Sequence, residues 1–105
     1  RNYLFTWDGH RFVKIVYQEI AYVESKENYI YVHTVNEQKI TLRSTLQDFL
    51  AQLPAGKFLR VHRSYVIQTE LIKNMDYAEV EIAGVTVPLG KTYREDLFLH
   101  LGIKQ

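Results

Sequence analysis

Phe58-Leu59-Arg60-Val61-His62-Arg63-Ser64-Tyr65-Val66-Ile67-Gln68 is the stretch on which the reading of this chain turns. It is apolar enough for a buried β-strand, yet two arginines, a histidine and a serine sit in its middle. Side chains alternate along a strand, so Leu59, Val61, Arg63, Tyr65 and Ile67 share one face. Arg60, His62, Ser64 and Val66 share the other. A guanidinium on an apolar face is costly unless paired, which predicts a break or turn at His62–Ser64. Phe58, Val61, Tyr65 and Ile67 are then core residues, and His62, Arg63 and Ser64 face solvent. Cations and a hydroxyl on a rigid mount suit an anionic partner, nucleic acid first.

Local charge agrees, although total charge does not. Thirteen Lys and Arg against twelve Asp and Glu leave a formal net charge of +1. From Lys57 to Gln68, however, Lys57, Arg60 and Arg63 stand without an acid, whereas Thr69 to Glu81 carries Glu70, Asp76, Glu79 and Glu81 against Lys73. One part of the domain is electropositive and another repels phosphates.

With 105 residues the chain reads as a single domain over 1–105. Its 47% hydrophobic and 24% charged content is that of an ordinary globular protein. Cysteine is absent, which excludes disulfides, thiolate zinc sites and cysteine nucleophiles and fits a reducing, cytoplasmic location. No apolar run is long enough to span a bilayer, and no signal peptide opens the chain. Arg1 in place of Met suggests a piece of a longer protein.

Along the chain, Tyr3–Thr6 and Arg11–Tyr17 read as strands joined by a tight hairpin turn at Asp8-Gly9. Ile20–Glu24 and Tyr29–Thr34 follow around the polar loop 25–28, then Lys39–Arg43. Leu46, Phe49, Leu50 and Leu53 recur at helical spacing, with Ser44 and Gln47 as a capping box. Val80–Ala83 and Val85–Leu89 flank a turn at Gly84. A closing helix is expected over Thr92–Leu101, capped by Thr92 and Glu95 and stopped at Gly102. The fold class is mostly β and antiparallel, with one short internal helix and one C-terminal helix. Neither helix has a second one adjacent, so a helix-turn-helix does not fit.

Gly90-Lys91-Thr92 invites a phosphate-loop reading, but the glycine required at position 85 is Val85, and that reading fails. Lys91 and Thr92 still open a helix, whose free amides attract phosphate. His10, His33, His62 and His100 lack metal-ligand spacing, and His33 reads as a packed or surface strand residue. Ser64 and His62 find no third group for a nucleophilic triad, so no enzyme activity, cofactor or metal is expected. Lys26 and Asn28, with Tyr29 beside them, occupy a loop that reaches outward; Asn pairs with adenine edges and Lys reaches phosphate.

These residues together resemble a LytTR domain, the DNA-binding module of bacterial response regulators of the LytR, AlgR and AgrA class. The likeness rests on Asp8-Gly9 with Arg11–Ile15, Ile20–Ser25 followed by Asn28-Tyr29-Ile30, and Thr41–Leu53. It rests above all on Phe58–Ile67, and then on Val87-Pro88-Leu89-Gly90-Lys91-Thr92-Tyr93-Arg94. The resemblance implies an elongated core of packed antiparallel sheets whose loops, rather than a recognition helix, enter successive major grooves. Its contact set here is Lys26, Asn28, Tyr29, Arg60, His62, Arg63, Ser64, Lys91, Thr92 and Arg94. Lys91 stands where Arg is frequent and lacks Arg's bidentate fork, which favours a grip on phosphate. The resemblance also implies two copies on paired direct repeats, an upstream receiver domain and a cognate histidine kinase. Two other readings compete. A single-stranded nucleic-acid binder would stack bases on Tyr29, Tyr31 and Tyr65, and a protein-interaction module would use an exposed strand edge.

Overall fold

The structure is a computed structural model that describes residues 1–104. β1 (Tyr3–Trp7) and β2 (Phe12–Val16) form a two-stranded ribbon. β3 (Ile20–Lys26), β4 (Tyr29–Thr34), β5 (Lys39–Leu42), β6 (Phe58–His62) and β7 (Tyr65–Gln68) form a five-stranded sheet in the order β5-β4-β3-β7-β6. β8 (Ile72–Met75), β9 (Glu79–Ile82) and β10 (Val85–Pro88) form a third sheet, and all pairings are antiparallel. The helices are α1 (Leu46–Leu50) and α2 (Lys91–His100).

The central sheet has a core on each face. Ile20, Val23, Ile30, Val32, Leu42, Phe58 and Val66 pack against Leu4 and Ile15 of the ribbon and Leu46 and Phe49 of α1. Val61 and Ile67, with half-buried Tyr22, Leu59 and Tyr65, pack against Val80, Ile82 and Val87 of the third sheet and Leu97 and Phe98 of α2. The result is a stack measuring 46 × 29 × 24 Å, elongated as the resemblance implies. Consecutive residues Val66 and Ile67 are thus both buried, each in a different core. Gln68 is buried too, because its amide donates to the carbonyls of Tyr17 (3.2 Å) and Ile20 (2.7 Å) where the chain leaves a 3₁₀ turn.

Three local expectations need correction, and one strand, β8, lies outside them. Trp7 pairs with Phe12, so the first hairpin closes over four residues rather than at Asp8-Gly9 alone. There the Asp8 carboxylate accepts from the amides of Arg11 (2.9 Å) and His10 (2.8 Å), which in that order hold its pKa below the usual value. Helix α1 is capped by Thr45, whose hydroxyl accepts from the Asp48 amide at 3.1 Å, not by Ser44 with Gln47. Thr92 does not cap α2: the helix starts one residue earlier, behind Gly90, with no side-chain cap. Strand β8 carries no sequence signal, since a register shift between Ile72 and Asn74 breaks its alternation.

Candidate nucleic-acid interface

The central stretch is a hairpin. Its strand breaks at Arg63-Ser64, the two residues between the paired His62 and Tyr65. A register shift between Arg60 and His62 lets Val61 enter the second core while His62 still faces Tyr65. Arg63 is exposed, and His62 and Ser64 are half-buried. The Ser64 amide donates to His62 Nδ1 at 3.0 Å, which in the neutral ring places the proton on Nε2. Arg60 donates from Nε to the His62 carbonyl at 3.3 Å and from Nη2 to the Arg63 carbonyl. Its guanidinium therefore braces the turn that carries Arg63.

Two backbone hydrogen bonds fix this turn to its neighbours. The Ser25 amide donates to the Ser64 carbonyl at 2.9 Å, tying it to the end of β3. The Gly90 amide donates to the Val61 carbonyl at 2.7 Å, tying it to the start of α2. A Cβ at Gly90 would lie 3.1 Å from Tyr93 Cδ2, so that ring would have to give by a few tenths of an ångström, and at an ordinary contact distance of 3.6 Å from His62 Cα. Three segments remote in sequence are thereby joined through consecutive contacts along one edge. They are the β3–β4 turn at Glu27-Asn28, the β6–β7 turn, and the β10–α2 junction.

Lys26, Asn28 and Tyr29 are exposed on the first of these, with Glu27 in the left-handed region at φ 58°. Lys91 and Thr92 are exposed on the third. Among the described residues, no carboxylate lies within salt-bridge distance of Lys26, Arg63 or Lys91, so their charges are available to a partner. Arg94 is placed differently. Its guanidinium sits over the Tyr77 ring at 5.7 Å and its Nε is buried, which turns it toward the third sheet.

The region behind the turn is polar. Tyr65 donates to Glu24 Oε2 at 2.8 Å; burial first, and this bond second, push its pKa up to about 12. Its ring meets His62 edge-on at 5.6 Å, which supports the imidazole. His33 stacks on Tyr22 at 4.3 Å, and burial lowers its pKa although Glu24 pulls the other way. Of the three tyrosines that could stack bases, only Tyr29 is exposed. Tyr31 is half-buried beneath Lys39, and Tyr65 is engaged by Glu24. Sequence reasoning missed Glu24, Ser25 and Gly90 as supports, and also Arg43. Arg43 and Arg60 line an open notch of about 400 Å³ beside Asn28, together with Ser44 and Asp48. Only the exposed position of Arg43 at the end of a strand could have flagged it.

Charged turns on one edge of a three-layer antiparallel stack find their counterpart in a known family: the profile of the LytTr DNA-binding domain matches residues 10–102. The chain belongs to the LytTR family. A LytTr DNA-binding domain solved from Bacillus cereus has the same fold, with a TM-score of 0.82 over 98% of this chain and 99% of that one at 23% identity. Sensory transduction protein LytT of Bacillus subtilis is 31% identical over 101 residues, which cover 89% of this chain and 42% of that protein. Sensory transduction protein LytR of Streptococcus agalactiae is 31% identical over 97 residues, covering 87% of this chain and 39% of the relative. The LytTR domain described here thus spans about two-fifths of the length of these relatives. Its described residues include no helix long and apolar enough to cross a membrane.

Proposed function

We propose that this LytTR domain binds duplex DNA sequence-specifically and serves transcription regulation as the output module of a response regulator. The observation that carries the reading is the latched edge. Hydrogen bonds Ser25 N–Ser64 O and Gly90 N–Val61 O hold three turns in fixed relation, and each presents at least one unpaired donor or cation. A rigid edge of that kind suits base readout, because a prepositioned side chain loses little freedom on binding. Arg63 and Asn28 are the base readers, able to form bidentate pairs with guanine and adenine respectively. Lys26, Tyr29, His62, Ser64, Lys91 and Thr92 grip the backbone around them. Arg60 acts as a brace beneath Arg63 and Arg94 as a packing residue, so their substitution disturbs binding through the turn or helix that they support. Pairs of direct repeats, a receiver domain with its histidine kinase, and a cytoplasmic location complete the proposal.

Selection of bound duplexes from a random library tests it, followed by titration of the selected site at several salt concentrations. The expected result is one enriched sequence, bound with a steep salt dependence and in preference to either of its single strands. Equal affinity for the single strands, or no enrichment above random duplex, would overturn it.

A further inference from the structure

Among the described residues, the outer face of the β1–β2 ribbon is unpartnered, and it is aromatic. Leu4 and Ile15 point into the first core, so Tyr3, Phe5 and Trp7 of β1 and Phe12, Lys14 and Val16 of β2 point away from it. Phe5, Trp7 and Phe12 are 56%, 55% and 68% exposed, far more than burial in a monomer would leave. Trp7 and Phe12 pack edge to face at 5.1 Å, Tyr3 and Phe5 do so at 5.9 Å, and Lys14 lies over Tyr3 at 4.7 Å. The rings of the patch therefore meet in two pairs. This segment is also basic on balance: residues 1–16 hold Arg1, Arg11 and Lys14 against Asp8.

The far side of the stack has the opposite charge. Val80, Ile82 and Val87 face the second core, so Glu79, Glu81 and Thr86 face outward, with Asn74 opposite Glu81. Residues 72–88 hold Asp76, Glu79 and Glu81 against Lys73, which is paired with Glu81 at 3.7 Å. The two outer faces lie on opposite sides of the central sheet, so one copy can meet the next by a simple advance along the stack. Ribbon against ribbon would instead bring Arg11 and Lys14 of two copies together.

We propose that copies of this domain dock head to tail, the aromatic basic face of β1–β2 on the acidic outer face of β8–β10 of the next copy. Such a contact is heterologous and does not close on itself, so it matches copies placed in one orientation on directly repeated sites. That use of the contact rests on the duplex-binding reading; the contact itself does not.

Trp7 is the chain's single tryptophan and a direct reporter. Raising the concentration of the domain from micromolar to about millimolar should shift Trp7 emission to shorter wavelength, less so at high salt. Amide NMR signals of the ribbon and of β9 should move together. Lys14→Glu and Glu79→Lys should each abolish the shift when alone, and mixing the two variants should restore it. No concentration dependence, signals moving only in the ribbon, or full association of Lys14→Glu would overturn the proposal. On a duplex carrying two selected sites in direct repeat, occupancy of one should tighten the other about tenfold, a gain lost in Lys14→Glu while single-site affinity stays unchanged. Association in solution without that gain at any spacing would overturn the role on DNA. Failure of the unaltered domain to bind any duplex would overturn the duplex-binding reading, and the solution measurements would then judge the contact alone.

Discussion

The β6–β7 hairpin and the β1–β2 ribbon are built from the same residue types, aromatics and aliphatics with basic residues near the turn, yet they hold them differently. In β6–β7 both faces are covered: Phe58 and Val66 enter one core, Val61 and Ile67 the other, so only the turn projects. Arg60, the Ser25 amide and the Gly90 amide then hold that turn from beneath and from both sides. In β1–β2 only one face is covered, and the outer aromatics meet mainly one another. Covering both faces makes a rigid mount for a few charged atoms, which suits readout. Covering one face leaves a broad adhesive surface, which suits association between proteins.

The largest effect should separate the two hairpins by stability. Ile67→Ala removes a fully buried side chain and should cost about 2–5 kcal/mol in a denaturant melt through lost burial and a cavity. Phe5→Ala, on the exposed face, should cost about 0.5 kcal/mol or less. Equal losses would mean that the ribbon face is covered in the free domain and would erase the distinction.

Function should divide the other way. Arg63→Ala should leave stability within about 0.5 kcal/mol, since the side chain is exposed at the turn and makes no ion pair among the described residues. Duplex affinity should fall by about 1–3 kcal/mol, with base preference relaxed at one position of the site. An equal loss on selected and random duplexes would reduce Arg63 to a phosphate contact.

A finer contrast sets one lysine against another. Lys91→Ala on the latched edge should lower the salt slope of duplex binding by about one unit on any sequence, and Lys91→Arg should be tolerated. Lys14→Ala on the ribbon should leave the single-site slope unchanged. A matching drop for both would show that the duplex reaches the ribbon.

The smallest effect concerns pH. Burial lowers the pKa of His33 from 6.5, so as pH falls the unfolded chain takes up this proton before the folded one does. Stability should therefore be full above about pH 6.5 and decline below it, and His33→Gln should weaken that decline. Melts between pH 5 and 7.5 on both proteins check this. An identical pH profile in the variant would assign the decline to other groups.

By itself the sequence determined most strands, the break at His62–Ser64 and the family, because each is written in neighbouring residues. Alternation marks the strands, a guanidinium cannot stay on an apolar face, and the His-Arg-Ser-Tyr block is contiguous. It also marked Asn28, Arg63 and Lys91 as outward donors. Tertiary structure alone decided what surrounds them. A period of two separates the faces of β7 but does not reveal that both are buried, since each face needs a partner sheet from a distant part of the chain. Ser25, Ser64, Val61 and Gly90 show no mutual signal, because backbone hydrogen bonds carry no side-chain signature. Arg60 and Arg94 look no different from Arg63 in the sequence. What redirects them is the position of two carbonyls and of the Tyr77 ring, set only when the sheets stack.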